Sequence, residues 1–200
     1  MPVTPQPLGR RERNKQEKLD RITAAATELF AQYGVDDVTT QQIADKADIG
    51  TGTLFLYARN KGELLLLVQN AHYAEALERG RAEAETIPNV LGAVMAIVRP
   101  IVECNRVQVD NGRFYLREMV FGDPAEPHHG QALSIVARTE EAIAAALGRH
   151  GPIATGDAAT TARIISAVMF VTMAASVNAS LTTAAILQDI EAQVSLLARR

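Results

Sequence analysis

The chain has no tryptophan, one cysteine and few aromatic residues, and it has no lysine beyond Lys61. Each shortage excludes something. A single cysteine rules out an intramolecular disulfide and a cysteine-built zinc cluster, so Cys104 is read as a buried structural thiol. The opening MPVTPQPLG lacks an apolar stretch, so no secretory signal is expected. No run alternates apolar and polar residues with period two, so no strand is expected. His128 and His129 sit between turn residues and are read as loop histidines, because no further ligands stand at metal-binding spacing. No metal and no cofactor are expected. Nucleophile–base pairs, paired carboxylates with a histidine and phosphate loops are missing too. Gly50-x-Gly52 lacks the rest of a dinucleotide fingerprint. The chain is therefore read as a non-enzyme with no catalytic residues.

One span is long enough to cross a membrane. Ile164 to Gln188 carries no charged residue. It contains Ser166, Thr172, Ser176, Asn178, Ser180, Thr182 and Thr183, which suits a buried helix pair. A cytoplasmic protein without a membrane span is expected.

What charge there is lies unevenly. Lys15, Lys18, Lys46 and Lys61 all fall in the first third, with Arg10, Arg11, Arg13 and Arg21 among them. Residues 1–61 are net +1 and the remainder is net −4. A basic head on a mildly acidic body suits a nucleic-acid reader.

Helical spacing recurs throughout. Leu19, Ile22, Ala26, Leu29, Phe30 and Tyr33 form one stripe, ended by Gly34. Thr39 and Gln42 make a capping box for a short helix. Asp48-Ile49-Gly50 turns the chain into a third helix, over residues 51–58. Asn60 with Glu63 caps a long fourth helix reaching about Thr86, before Pro88. Five more are expected, over residues 90–109, 112–121, 131–149, 157–178 and 183–198. Pro100 is expected to kink the first of these.

A helix, a tight corner and a second short helix form the helix-turn-helix arrangement. The second helix enters the major groove, about 12 Å wide, and short side chains near its start let the backbone approach. Gly50, Thr51, Gly52 and Thr53 meet that need.

The stretch resembles the N-terminal domain of the TetR family of bacterial transcriptional regulators. That family's pattern is roughly T-x-x-x-I-A-x-x-A-G-V-S-x-G-T-L-Y-x-x-F-x-x-K-x-x-L. Thr39, Ile43, Ala44, Ala47, Ile49, Gly52, Thr53, Leu54, Phe55, Lys61 and Leu64 fall in step with it. Asp48 replaces the usual Gly, Gly50 a capping Ser, Phe55 a Tyr and Ala58 a Phe. Tyr57 is placed to restore the lost hydroxyl.

The resemblance implies an all-α protein. Residues 1–14 would be a disordered basic arm. Residues 15–60 would be a three-helix DNA-binding domain, and residues 61–200 a six-helix ligand-binding and dimerisation bundle. It implies DNA contacts from Thr39, Thr40, Gln42, Thr51, Gly52, Thr53, Phe55, Leu56, Tyr57 and Lys61. It implies a homodimer through the last two helices, a palindromic double-stranded operator, and a repressor released by a small-molecule effector. Met95, Val98, Arg99, Phe114, Tyr115, Met119, Met169, Phe170 and Met173 are the candidate lining of an effector pocket. The alternative is an all-helical small-molecule-binding protein or enzyme whose first helices are only structural.

Overall fold

The computed structural model describes residues 9–150 and 155–197, and every regular element among them is helical. The first helix, α1 (Arg10–Tyr33), begins earlier than expected. Residues 1–8 of the expected arm lie outside the described residues. Arg10 to Asn14 are helical, which corrects the reading of 1–14 as disordered. Between Arg10 and Lys18 stand Arg, Glu, Lys and Gln with a single Asn, all but the Asn strong helix formers, and no Gly or Pro intervenes. Ile22, Ala26 and Phe30 are buried on one face, while Tyr33 of the same stripe stays 54% exposed. Gly34 ends α1 with φ +79°, and a Cβ there would meet Gln108 Nε2 at 2.8 Å.

The second helix, α2 (Thr40–Lys46), starts with the expected capping box. Gln42 N–H donates to Thr39 Oγ1 at 3.2 Å, and Thr39 N–H donates back to Gln42 Oε1 at 2.8 Å. The third, α3 (Thr51–Leu54), is only four residues long, shorter than the expected 51–58. Asn60 must be extended (φ −151°) to cap the next helix, so the chain leaves the helical conformation before it. Helix α4 (Lys61–Ala84) follows, with Asn60 Oδ1 accepting from Glu63 N–H at 2.9 Å.

In the body, α5 (Val90–Arg106) packs closely on α4. A Cβ at Gly80 would lie 2.8 Å from Ala96 O. Pro100 remains inside α5. Gln108 Oε1 accepts from Asn111 N–H at 2.6 Å and starts α6 (Val109–Phe121) three residues sooner than expected. Pro127 opens α7 (Pro127–His150), since a first-turn proline loses no helical hydrogen bond. His128 and His129 are therefore helical, not loop residues. Helix α8 (Thr155–Ala174) stops short of Asn178, whose side-chain amide folds back to donate to Thr172 O at 3.0 Å. A 3-10 turn (Ser176–Asn178) leads to α9 (Thr183–Leu197), and Ala198 of its expected end lies outside the described residues.

By length and composition alone, residues 157–174 could span a membrane, the one such helix among the described residues. Here α8 packs against α6, α7 and α9. Head and body share one apolar core, reaching from Ile22 and Phe30 through Leu64 and Leu77 to Ile190 and Val194. Asn111 of α6 pins the join: its Nδ2 donates to Phe30 O at 2.8 Å and its Oδ1 accepts from Val35 N–H at 2.7 Å.

Candidate nucleic-acid interface and body cavity

The expected DNA-contacting residues around the corner after α2 all keep some exposure to solvent. Ile43, Ala44, Ala47 and Leu54 fill the inside of the corner. Thr39, Gly52, Phe55 and Leu56 are left exposed, and Thr40, Thr51, Thr53, Tyr57 and Lys61 half-exposed. Leu56 is 83% exposed, so no apolar neighbour in the chain claims it. A Cβ at Gly50 or Gly52 would meet nothing within 4 Å, and neither has a positive φ. Nothing inside the molecule asks for glycine at these two positions.

Several polar groups at this surface already have partners. Thr51 Oγ1 donates to Gln41 Oε1 at 2.6 Å, and Gln41 Nε2 donates to Asp45 Oδ1 at 2.7 Å. Gln41 thus ties α2 to the first residue of α3, a role that sequence reading missed because Gln41 lies outside the family pattern. The Gln42 side chain is spent on the capping box. Lys61 Nζ donates to Asp36 O at 3.2 Å. Tyr57 Oη donates to Lys15 O at 3.3 Å, so α1 rests against the segment that follows α3.

Above this surface the head is clamped to α7. His128, with Nε2 protonated, donates to Tyr57 O at 3.1 Å. Its backbone N–H donates to Glu63 Oε2 at 3.3 Å. Arg59 pairs with the buried Glu126 at 2.8 Å. Burial pushes the Glu63 carboxyl above its ordinary value, and attraction from His128 opposes that shift. His129 Nε2 donates to Met119 O at 3.0 Å, and no metal-holding cluster occurs among the described residues.

The body holds a small apolar cavity of about 50 Å³. Of the candidate residues, Tyr115, Met119, Met169, Phe170 and Met173 line it. Met95, Val98, Arg99 and Phe114 do not. Arg99 is exposed, because the helical phase of α5 turns it away from the buried Val98 and Pro100. The buried cation is Arg106 instead, which donates to the carbonyls of Asn178, Ala179 and Leu181. Tyr73 and Tyr115 stack with ring centroids 4.3 Å apart, and burial drives both phenols further from ionisation. Cys104 is half-buried, its thiol pushed up to about 11 by desolvation, which leaves it protonated at neutral pH.

Residues 22–68 match the family described as bacterial regulatory proteins, tetR family. No match was found among curated proteins. Solved structures share the fold over nearly the whole chain. A TetR transcriptional regulator from Rhodococcus sp. RHA1 is 17% identical with a TM-score of 0.70, covering 92% of this chain and 97% of its own. Thermus thermophilus FadR, a TetR family transcriptional repressor in complex with lauroyl-CoA, is 21% identical with a TM-score of 0.68, covering 90% and 92%. A TetR-family transcriptional regulator from Streptomyces coelicolor is 22% identical with a TM-score of 0.62, covering 92% and 91%. At such identities these likenesses speak for the fold. The head, with its exposed corner, thus matches the tetR family of bacterial regulatory proteins over residues 22–68, and the whole chain shares the fold of these solved structures.

Proposed function

We propose that the chain is a homodimeric repressor that reads a palindromic operator in the cytoplasm and lets go when a small apolar molecule enters its body. It acts by binding, without catalysis. The head runs to residue 60 and the body from Lys61. The observation that carries this reading is the unclaimed corner, with Leu56 bare to solvent beside glycines that no internal contact requires. On DNA, Thr51, Gly52 and Leu56 face bases. Thr39, Thr40, Gln42, Thr53, Phe55, Tyr57 and Lys61 lie along phosphates, and Gln41 joins them. A short reading helix makes few contacts, and a two-fold pair doubles them on half-sites about 34 Å apart.

The cavity argues for the effector's chemistry. No charged side chain lines it, so the part of the effector that enters is neutral and apolar. The lauroyl chain of the ligand in the FadR complex is of that kind. A volume of about 50 Å³ is far below the roughly 300 Å³ of small ligand pockets, so entry must push the walls outward. Methionine walls yield most readily. One wall leads to the head. Tyr115 Oη donates to Asn70 Oδ1 at 2.8 Å, and Asn70 Nδ2 donates to His128 O at 2.9 Å. His128 in turn holds Tyr57 O. Displacing Tyr115 therefore pulls on the turn behind α3. A coupling of about 1–3 kcal/mol changes affinity roughly five- to 150-fold.

The test is selection of genomic fragments from the source organism, followed by salt titration of the bound sequence. An enriched palindrome is expected, bound with a steep salt dependence, and Lys61→Ala should lower the slope by about one. Absence of any enriched sequence, or affinity indifferent to salt, sinks the reading.

A further inference from the structure

The start of α1 is not accounted for by the core. Residues 10–18 are all exposed, none is apolar, and the first buried residue of the helix is Ile22. They carry Arg10, Arg11, Arg13, Lys15 and Lys18 against Glu12 and Glu17. About 12 Å of helix thus projects past the packed part of α1. Arg10, Arg11, Lys15 and Lys18 form no ion pair among the described residues. Together with Glu12 and Asn14 they form one wall of an open groove of about 940 Å³, and Thr53, Leu56 and Tyr57 form the other. The Tyr57–Lys15 hydrogen bond sets the spacing of the two walls.

We propose that Arg10, Arg11, Lys15 and Lys18 grip the backbone phosphates that flank the bases read by α3, making the start of α1 a second DNA-binding element outside the helix-turn-helix. This rests on the DNA-reading function above. Two observations select the occupant. The groove is continuous with the reading surface, since Leu56 and Thr53 belong to both. Its charged wall is cationic apart from Glu12 and extends over about 12 Å, which is three to four base-pair steps at 3.4 Å each and too long for a single small anion. A duplex that meets Leu56 lies beside this wall, because Leu56 lines the same groove.

Each phosphate that the protein ceases to neutralise lowers the salt slope of log affinity by about 0.9. The probe is a random-sequence 30-base-pair duplex titrated with the full chain by fluorescence anisotropy across salt. The quadruple variant R10Q/R11Q/K15Q/K18Q keeps helix-forming residues at exposed positions, so its thermal midpoint should match the parent's. Its slope should fall by two or more and its affinity at moderate salt by tenfold or more. Glu12→Gln should move affinity the other way, two- to threefold tighter. A quadruple variant with the parent's slope overturns the proposal, while a normal Lys61→Ala effect in the same assay would leave the DNA-reading function standing. A parent that shows no salt-dependent binding overturns both. Loss confined to anionic phospholipid vesicles, with duplex binding unchanged, also overturns it.

Discussion

Asp48 holds the one positive φ among the described non-glycine residues, +53°. An L side chain in that conformation crowds the following carbonyl at roughly 1–2 kcal/mol, somewhat less for Asp. The corner demands it: Ile49 N–H must reach back to Ala44 O at 3.1 Å while Ala47 stays inside. Arg21 of α1 steadies the turn, its Nη1 reaching Asp48 O at 3.3 Å and Asp48 Oδ2 at 3.4 Å. Both side chains are substantially exposed, so this pair contributes little. Asp48→Gly should therefore be more stable than Asp48→Ala by about 1 kcal/mol in urea unfolding, with DNA affinity alike in both. Equal stabilities would mean that the turn carries no such strain. The family pattern with Gly at this position already marked the strained site in the sequence. Thr39 with Gln42, and Asn60 with Glu63, were equally readable there, because a cap is a local device set by neighbours three residues apart. Arg99 and Arg106 were not. Which arginine of α5 turns inward depends on the segment between α8 and α9 some 70 residues away, and only Arg106 has carbonyls there to hold.

At the scale of elements, α7 starts where sequence reading placed a loop. Pro127 stands at the first helical position, where a proline starts a helix. The consequence is that the first turn of α7 rests on Glu63, whose carboxylate accepts from His128 N–H. Glu63 is buried, and desolvation raises its pKa above the ordinary 4.5 despite the help of His128. The sign follows. A carboxyl whose folded pKa is raised stabilises the fold fully below its unfolded pKa, and that contribution is lost as pH rises through the folded value. Glu63→Gln keeps an oxygen for His128 N–H and removes the titration. The variant should be more stable than the parent at pH 7, and the two should converge near pH 4, measured as urea midpoints across pH. A constant offset at every pH would remove Glu63 from the account. Local signals could not reveal this contact, since Glu63 and His128 are 65 residues apart, one read as the partner of the Asn60 cap and the other as a loop histidine.

The whole molecule leaves one face unexplained as a monomer. On α8, Thr160, Ile164, Ala167 and Val171 are exposed at helical spacing, with Ile164 45% and Val171 63% bare. On α9, Ala184, Gln188, Ala192 and Leu196 repeat the pattern. Inward stripes of the same helices, Ile165 and Met169 on one and Ile186, Ile190 and Val194 on the other, are already spent on the core. Two helices whose second stripes are apolar or small apart from Thr160 and Gln188 can pair with their copies across a two-fold axis. Arg106 ties down the corner between them by donating to Asn178 O and Ala179 O. Val171→Glu would place two carboxylates against that axis, while its site in the single chain is open to solvent. The variant should keep its helicity by circular dichroism and sediment as a monomer. A monomer touches half the phosphates, so its salt slope on a palindromic duplex should fall to about half the parent's, and its affinity at least a hundredfold. If Val171→Glu stays dimeric and keeps the full slope, the symmetric pair must form elsewhere on the chain, and the half-site spacing must be set by other helices.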